Sequence, residues 1–462
     1  MSVSNINNQY DQQARREFLK AGALAGLGAV IGGLQTTGCS TGGTRLGVGP
    51  SPTQPMTAPP MERVRIGFVG IGGMGANHIR HLSKIDGAEV RAVCDLVPER
   101  TAQAQQILVE AGKPKPVAYT RGEWDFLRLC EQEDLDLVYN ATPWEWHVPI
   151  CVAAMKADKH AATEVPAAYT LDGCWELVET AEKYNKHCVM MENCCYDRYE
   201  AMCLSMIRQG VFGEILHGEC GYLHDLRAVK HNLGSEGDWR LAHSMKRNGN
   251  LYPTHGIGPV AQCMNINRGD RLDYLVSMSS PSRGLQAYQQ EHLEPSDPRN
   301  GARFALGDVN ATLIKTVHGK TIYIVHDTNL PRPYSRIHTV QGTRGLFSRF
   351  PNRIHVEGRS PKHQWEEVEA YRNEFEHPLW RSEKIQKVTG GHGGMDFLEN
   401  YRLVHCLQHG LPTDMDVYDA ATWSVICDLT ERSVAHRSRP MDVPDFTRGR
   451  WKTNQPVPVF QA

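Results

Sequence analysis

The sequence predicts an α/β chain. A doubly wound parallel sheet is expected over residues 62–192, then an α+β domain with an open, largely antiparallel sheet and C-terminal helices over residues 193–462. Three observations predict it. A glycine-rich turn, Gly70-Ile71-Gly72-Gly73-Met74-Gly75, joins an apolar run to an amphipathic one. Strand-like and helix-like segments alternate up to residue 192. Past that point the alternation stops, and paired β-rich runs take over.

Residues 64–69 read as a strand, 76–85 as a helix with Ile79 and Leu82 on one side, and 89–94 as a second strand. The glycines follow the spacing G-x-G-x-x-G at a strand-to-helix turn. That turn aims backbone N–H groups and a helix N-terminus at a pyrophosphate. Asp95 lies 20 residues past Gly75, at the end of the second strand. A carboxylate there hydrogen-bonds the adenosine ribose hydroxyls and repels a 2′-phosphate. The pattern predicts a Rossmann domain that binds NAD through Gly70, Gly72, Gly73, Met74, Gly75 and Asp95. Arg100, close by in sequence, leaves NADP open. Residues 98–111 read as a helix, 135–140 as a strand, 144–157 as a helix, 159–163 as a short strand, 171–184 as a helix and 187–191 as a strand. In the second domain 214–222 is strand-like, and 309–318 with 320–328 form a hairpin about His318-Gly319-Lys320. Residues 337–347 extend that sheet, and helical patterns return at 397–409 and 417–436.

At 462 residues the chain is long enough for two domains. A net charge of −2 implies neither a nucleic-acid surface nor attraction to an anionic membrane. Neither a metal site nor a disulfide framework is expected from the 21 histidines and 13 irregularly spaced cysteines. Residues 1–39 read as a targeting segment. Arg15-Arg16-Glu17-Phe18-Leu19-Lys20 precedes an apolar run of roughly 14 residues, short of the roughly 20 that span a bilayer, and resembles a twin-arginine export signal. Thr36-Thr37-Gly38-Cys39 resembles a lipoprotein box with Thr36 at the usual Leu position, which leaves a periplasmic and a lipid-anchored form (at Cys39) as alternatives. Residues 40–61, rich in Gly, Ser, Thr and Pro, read as a flexible tether.

Asn140-Ala141-Thr142-Pro143 with His147, and then Glu164-Val165-Pro166, resemble the glucose–fructose oxidoreductase / inositol dehydrogenase family of NAD(P) enzymes. The family triplet is usually Glu-Lys-Pro with a catalytic Lys; here Val165 stands in its place. The family Asp four residues before a catalytic His is Leu251 here, before His255. Asn250-Leu251-Tyr252-Pro253-Thr254-His255-Gly256 is similar instead to the NAD-dependent α-N-acetylgalactosaminidases of glycoside hydrolase family 109. So are Met190-Met191-Glu192-Asn193 with Tyr196, Asp238-Trp239-Arg240, Arg332-Pro333-Tyr334 and His392-Gly393-Gly394-Met395-Asp396. The resemblance runs from about residue 62 to 445.

It implies a retaining exo-glycosidase acting on terminal α-linked N-acetylgalactosamine with tightly bound NAD. The implied route is transient oxidation at C3, loss of the acidified C2 proton, elimination at C1, water addition and re-reduction. The alternative is a periplasmic NAD(P)-dependent sugar oxidoreductase. The resemblance implies that Asn140, Thr142, Pro143, Trp144, His147, Glu164, Val165 and Asn193 meet the cofactor. It also implies that Arg240, Tyr334, Tyr196, Tyr252 and His255 meet the sugar. A neutral imidazole accepts a proton near pH 7, which makes His255 the candidate for the C3 hydroxyl. Tyr196 is the candidate base at C2, with core packing at the domain seam as its alternative, and Tyr252 orients His255 or holds the sugar. His392 and Asp396 are expected to close the pocket. In this family an open sheet face often serves as a subunit interface, so a homo-oligomer is expected.

Overall fold

The computed structural model describes residue 56, residues 58–382, residue 385 and residues 391–460. The segment read as an export signal, Cys39 and most of the expected tether lie outside the described residues. The end of the tether is fixed rather than flexible: Ala58 is buried, and the Met61 N–H donates to the Gln408 carbonyl at 3.2 Å.

Strands β1 (Val64–Val69), β2 (Ala88–Cys94), β3 (Val117–Tyr119), β4 (Leu137–Asn140), β5 (His160–Thr163) and β6 (Cys188–Met190) form a six-stranded parallel sheet in the order β3-β2-β1-β4-β5-β6. The order reverses between β1 and β4, which opens a crevice at their carboxyl ends. Every residue of β4 is buried, as a central parallel strand covered on both faces requires. Its helices are α1 (Gly73–Leu82), α2 (Pro98–Glu110), α3 (Asp125–Gln132), α4 (His147–Lys156) and α5 (Leu171–Tyr184). Neither β3 nor α3 was expected. β3 is three residues long with two of them exposed, and α3 buries only Asp125, Phe126, Leu129 and Cys130.

The second sheet contains β7 (Ile215–Leu223), β8 (Leu272–Ser279), β9 (Asn310–Thr316), β10 (Thr321–Asp327), β11 (Thr339–Gly342), β12 (Gly345–Ser348), β13 (Arg353–Val356) and β14 (Met441–Asp442). Its order is β13-β12-β11-β7-β10-β9-β8-β14. β9 and β10 form the expected antiparallel hairpin, whereas β10 and β7 pair in parallel. The run at 337–347 is split between the hairpin partners β11 and β12.

Helices α6 (Arg198–Arg208), α7 (Gly237–Lys246) and α8 (Thr254–Met264) follow β6 in sequence, and α8 packs on this sheet. α8 lies against β7 because glycines face each other. A Cβ on Gly256 would stand 2.6 Å from the Gly221 nitrogen, and one on Gly218 would stand 2.6 Å from Val260 Cγ1. The C-terminal helices are α9 (Met395–His409), α10 (Val417–Ser424) and α11 (Ile426–Ala435). Two of them return to the first sheet instead of staying with the second. On α9, Asn400 Nδ2 donates to His78 Nδ1 at 2.8 Å; on α10, the Tyr418 hydroxyl donates to Glu182 at 2.9 Å. One apolar core therefore runs through both sheets. Among the described residues no helix is long and apolar enough to cross a membrane.

Candidate active site

The glycine turn has the shape that a dinucleotide needs. Gly70 has φ +86°, and a Cβ there would meet the Ala141 backbone at 2.7 Å. A Cβ on Gly75 would strike the Gly70 carbonyl at 2.1 Å, so only glycine lets α1 start so close to β1. Gly72 and Gly73 face open space, and the first turn of α1 has neither a side-chain cap nor an acidic residue. Its N–H groups are left for an anion. Asp95 closes the far end of the turn: its carboxylate accepts from Ile71 N–H at 2.6 Å and Val97 N–H at 2.9 Å, with Arg100 Nη1 at 3.8 Å. These residues fit NAD.

Two residues expected to touch the cofactor do structural work. Asn140 is fully buried, and its Oδ1 accepts from Thr142 N–H at 3.1 Å and Thr142 Oγ1 at 2.6 Å, which fixes the loop after β4. His147 is also fully buried, with Nδ1 2.8 Å from the Pro166 carbonyl and Nε2 2.8 Å from the Thr142 carbonyl. It ties the loops after β4 and β5 together and does not line the crevice. Thr142, with Pro143 beside it, remains half-buried at the strand mouth, and Val165 is buried. Asn193 donates to Asp396 Oδ1 at 2.7 Å. Asp396 Oδ2 in turn accepts from His392 at 2.8 Å and from Asn77 of α1 at 3.2 Å, so this trio joins the Gly-rich loop to α1.

The second centre is built around His255. It sits in the first turn of α8, half-buried, and its Nδ1 bonds Glu192 Oε1 at 2.7 Å. Glu192 follows β6, is fully buried, and also accepts from Cys194 N–H at 3.1 Å. Burial alone would raise its carboxyl; the His255 ring and the bonds from its neighbours hold it below the ordinary carboxylate range instead. Among the described residues nothing bonds His255 Nε2, which leaves that nitrogen for a ligand. Gly258 brings α8 this close, since a Cβ there would meet Glu192 Cγ at 3.0 Å.

Aromatic rings wall the space beside His255. Tyr252 lies edge-on at 4.9 Å and Tyr222 at 5.5 Å; Trp144 stacks on Tyr252 at 5.8 Å and meets Trp239 at 4.7 Å. Arg240 packs over Trp239 at 4.5 Å and Tyr252 at 5.3 Å, while its Nε bonds Glu236 at 2.9 Å. Tyr334 stands 6.1 Å from Tyr222 and 5.0 Å from His224, and its hydroxyl accepts from Arg336 at 2.9 Å. Trp144, expected at the cofactor, thus stands in this wall.

Tyr196 takes a different position from the one expected. Its hydroxyl donates to Asp414 at 2.9 Å, and the same carboxylate is gripped by Arg402 at 2.8 Å through each oxygen. Burial, and then the Asp414 charge, push its phenol well above the ordinary value, so it is held protonated. Besides Tyr252, a second phenol packs against the His255 ring, Tyr222, which sequence reasoning missed; its hydroxyl lies 3.0 Å from His224 Nδ1. The alternation of β7 gave no signal for it, because a buried tyrosine on a strand reads as core. Contrary to the expectation that no close H-x-x-x-H spacing occurs, His405 and His409 have it on α9; their tilted rings lie 4.2 Å apart, with His409 Nδ1 bonded to the His405 carbonyl at 2.9 Å.

Fold and site together define an NAD-binding α/β enzyme whose mixed sheet carries a His–Glu pair walled by aromatic rings. Residues 64–192 match an oxidoreductase family with an NAD-binding Rossmann fold, and residues 196–453 match the C-terminal domain of glycosyl hydrolase 109. A glycosyl hydrolase family 109 protein of Shewanella pealeana is 45% identical over 96% of this chain and 99% of its own length. A Shewanella oneidensis protein named alpha-N-acetylgalactosaminidase is 44% identical over 97% of this chain and 99% of its own. Among solved structures, a levoglucosan dehydrogenase in complex with NADH and L-sorbose aligns with a TM-score of 0.64 at 20% identity, over 83% of this chain and 100% of that one. A scyllo-inositol dehydrogenase from Lactobacillus casei aligns with a TM-score of 0.59 at 14% identity, over 82% and 99%. These two likenesses concern the fold. The chain belongs to glycoside hydrolase family 109 and is a glycoside hydrolase with an NAD-binding domain.

Proposed function

We propose that this protein is a retaining exo-glycosidase that hydrolyses terminal α-linked N-acetylgalactosamine without net oxidation. The observation that carries the reading is the His255–Glu192 pair, with a free Nε2 facing a wall of rings. The name of the Shewanella oneidensis relative supports the sugar class. NAD, held by the glycine turn and Asp95, supplies reversible hydride acceptance at C3 of the sugar.

The protein's own task is to move protons. His255 Nε2 takes the C3 hydroxyl proton, and buried Glu192 steadies the positive ring that results and fixes its orientation. The resulting ketone acidifies the C2 hydrogen, each pKa unit being worth about 1.4 kcal/mol. We assign that proton to the Tyr222–His224 pair, in which the phenol gives its own proton to His224 Nδ1 as it takes the one from C2, so that no free phenolate is required. The phenol itself is pushed up to about 12 by burial, with Arg240 pulling the other way. Arg240 and Tyr334 contact sugar hydroxyls, and Trp144, Trp239 and Tyr252 pack against the ring.

The test is incubation with an aryl α-N-acetylgalactosaminide. Phenol release without bulk NADH is the expected result. Stoichiometric NADH with an oxidised free sugar supports the oxidoreductase alternative and overturns this reading. Residues 1–39 support export by the twin-arginine route, which carries folded proteins with bound cofactor.

A further inference from the structure

One acidic side chain of the nucleotide crevice has no part in these proton transfers. Glu164 follows β5 at the carboxyl edge of the sheet, with its side chain 16% exposed. Its Oε1 bonds His78 Nε2 at 2.6 Å. His78 is fully buried on α1, the helix that the glycine turn begins. Its Nδ1 accepts from the Asn400 amide at 2.8 Å and lies 3.2 Å from the Tyr139 hydroxyl. With Nδ1 accepting, Nε2 holds the ring proton and donates it to Glu164.

Glu399 stands across the ring, its Oε1 3.9 Å from Nδ1. Both its oxygens are buried without a hydrogen-bond partner among the described residues. Burial first, and then the charges of Glu164, Asp396 and Glu192, push its carboxyl well above the ordinary range. Glu164 and Glu399 face opposite nitrogens of one imidazole, which is not the arrangement of three ligands round a single metal ion.

Glu164 is the carboxylate of this group that reaches the crevice, its side chain 16% exposed against 1% for Glu399. Among the described residues no Lys or Arg pairs with Glu164, and Val165 occupies the position where the resembled dehydrogenase family carries a lysine. A Glu-Lys pair is neutral; a Glu-Val pair leaves one negative charge.

We propose that Glu164, positioned by His78, sets the redox preference of the bound cofactor: its uncompensated charge makes the crevice favour the cationic, oxidised nicotinamide over the neutral, reduced one. A tenfold preference for one redox form corresponds to about 1.4 kcal/mol of differential interaction, which one nearby unpaired carboxylate would supply. A glycosidase that must begin every turnover oxidised gains from that bias. The inference rests on the NAD site and not on the sugar specificity, so either can fail without the other.

The experiment exchanges the nucleotide of the purified holoprotein against mixtures of NAD⁺ and NADH, then extracts and quantifies what is bound. The wild type is expected to enrich NAD⁺. Glu164→Gln is expected to lower that enrichment at least about tenfold while the protein still binds nucleotide. His78→Leu lowers it as well, and His78→Gln, which keeps a donor near the Nε2 position, restores most of it. Val165→Lys tests the same charge without touching Glu164 and is expected to lower the enrichment in the same direction. If Glu164→Gln weakens both forms equally, or if neither it nor Val165→Lys changes the ratio, the proposal is overturned.

Discussion

Glu192→Gln isolates the charge behind His255. Glutamine keeps the volume of the buried side chain and leaves an oxygen 2.7 Å from Nδ1, so the change is mainly electrical. A hydrogen bond to a charged group contributes about 1.5–3 kcal/mol, against about 0.5–1.5 for a neutral one, so about 1 kcal/mol of positioning is lost at rest. The larger loss comes when His255 accepts the C3 proton. With charge centres about 4–5 Å apart and an effective dielectric near 20, the carboxylate steadies the imidazolium by about 3–4 kcal/mol. At about 1.4 kcal/mol per factor of ten, kcat/KM should fall about 100- to 1,000-fold. The assay is phenol release from an aryl α-N-acetylgalactosaminide at low substrate, with Tm measured alongside. A loss smaller than about threefold at unchanged Tm refutes the assignment. The same variant has a pH signature. Because the native carboxyl is held below its ordinary value, its stabilising share is complete above the unfolded pKa and is lost as pH falls through the folded one. The Tm gap between wild type and Glu192→Gln should therefore narrow on acidification.

Tyr196→Phe removes a donor from buried Asp414, so it should cost about 1–3 kcal/mol of stability and reduce kcat less than about fivefold. A hundredfold loss of kcat at unchanged Tm would return the C2 base to Tyr196. Tyr222→Phe should instead abolish exchange of the C2 hydrogen with solvent, as read by NMR of the recovered sugar, while leaving nucleotide content unchanged. Gly256→Ala drives a Cβ to 2.6 Å from the Gly221 nitrogen, so α8 must shift off β7; Tm and activity should fall together, with about 1–3 kcal/mol lost.

The nucleotide half was largely legible in the sequence, because its chemistry is carried by local spacing. Gly70, Gly75 and Asp95 lie within one strand–helix–strand unit, and each meets a steric or hydrogen-bonding demand that few residue types satisfy. The pocket half was legible only where a motif is continuous, as in Tyr252-Pro253-Thr254-His255. Glu192 and His255 are 63 residues apart and meet only because Gly256 lets α8 settle on β7 and Gly258 lets it approach Glu192. Tyr222 was invisible for a related reason: His224 is its local neighbour, but the rings of Tyr252, His255 and Tyr334 reach it only in the folded chain. Asn140 and His147 show the opposite error. They lie beside the crevice in sequence, yet their polar atoms are spent on the loops that shape it. The return of α9 and α10 to the first sheet could not be read from helical periodicity, which reports that a face is buried but not against what.

The central claim is that the sugar is opened at C1 through loss of its C2 hydrogen, with the oxidation at C3 fully reversed. Turnover of an α-N-acetylgalactosaminide in deuterated water tests it most directly. The account predicts released N-acetylgalactosamine carrying deuterium at C2, with no NADH accumulating in solution. A product that keeps its original C2 hydrogen would contradict it.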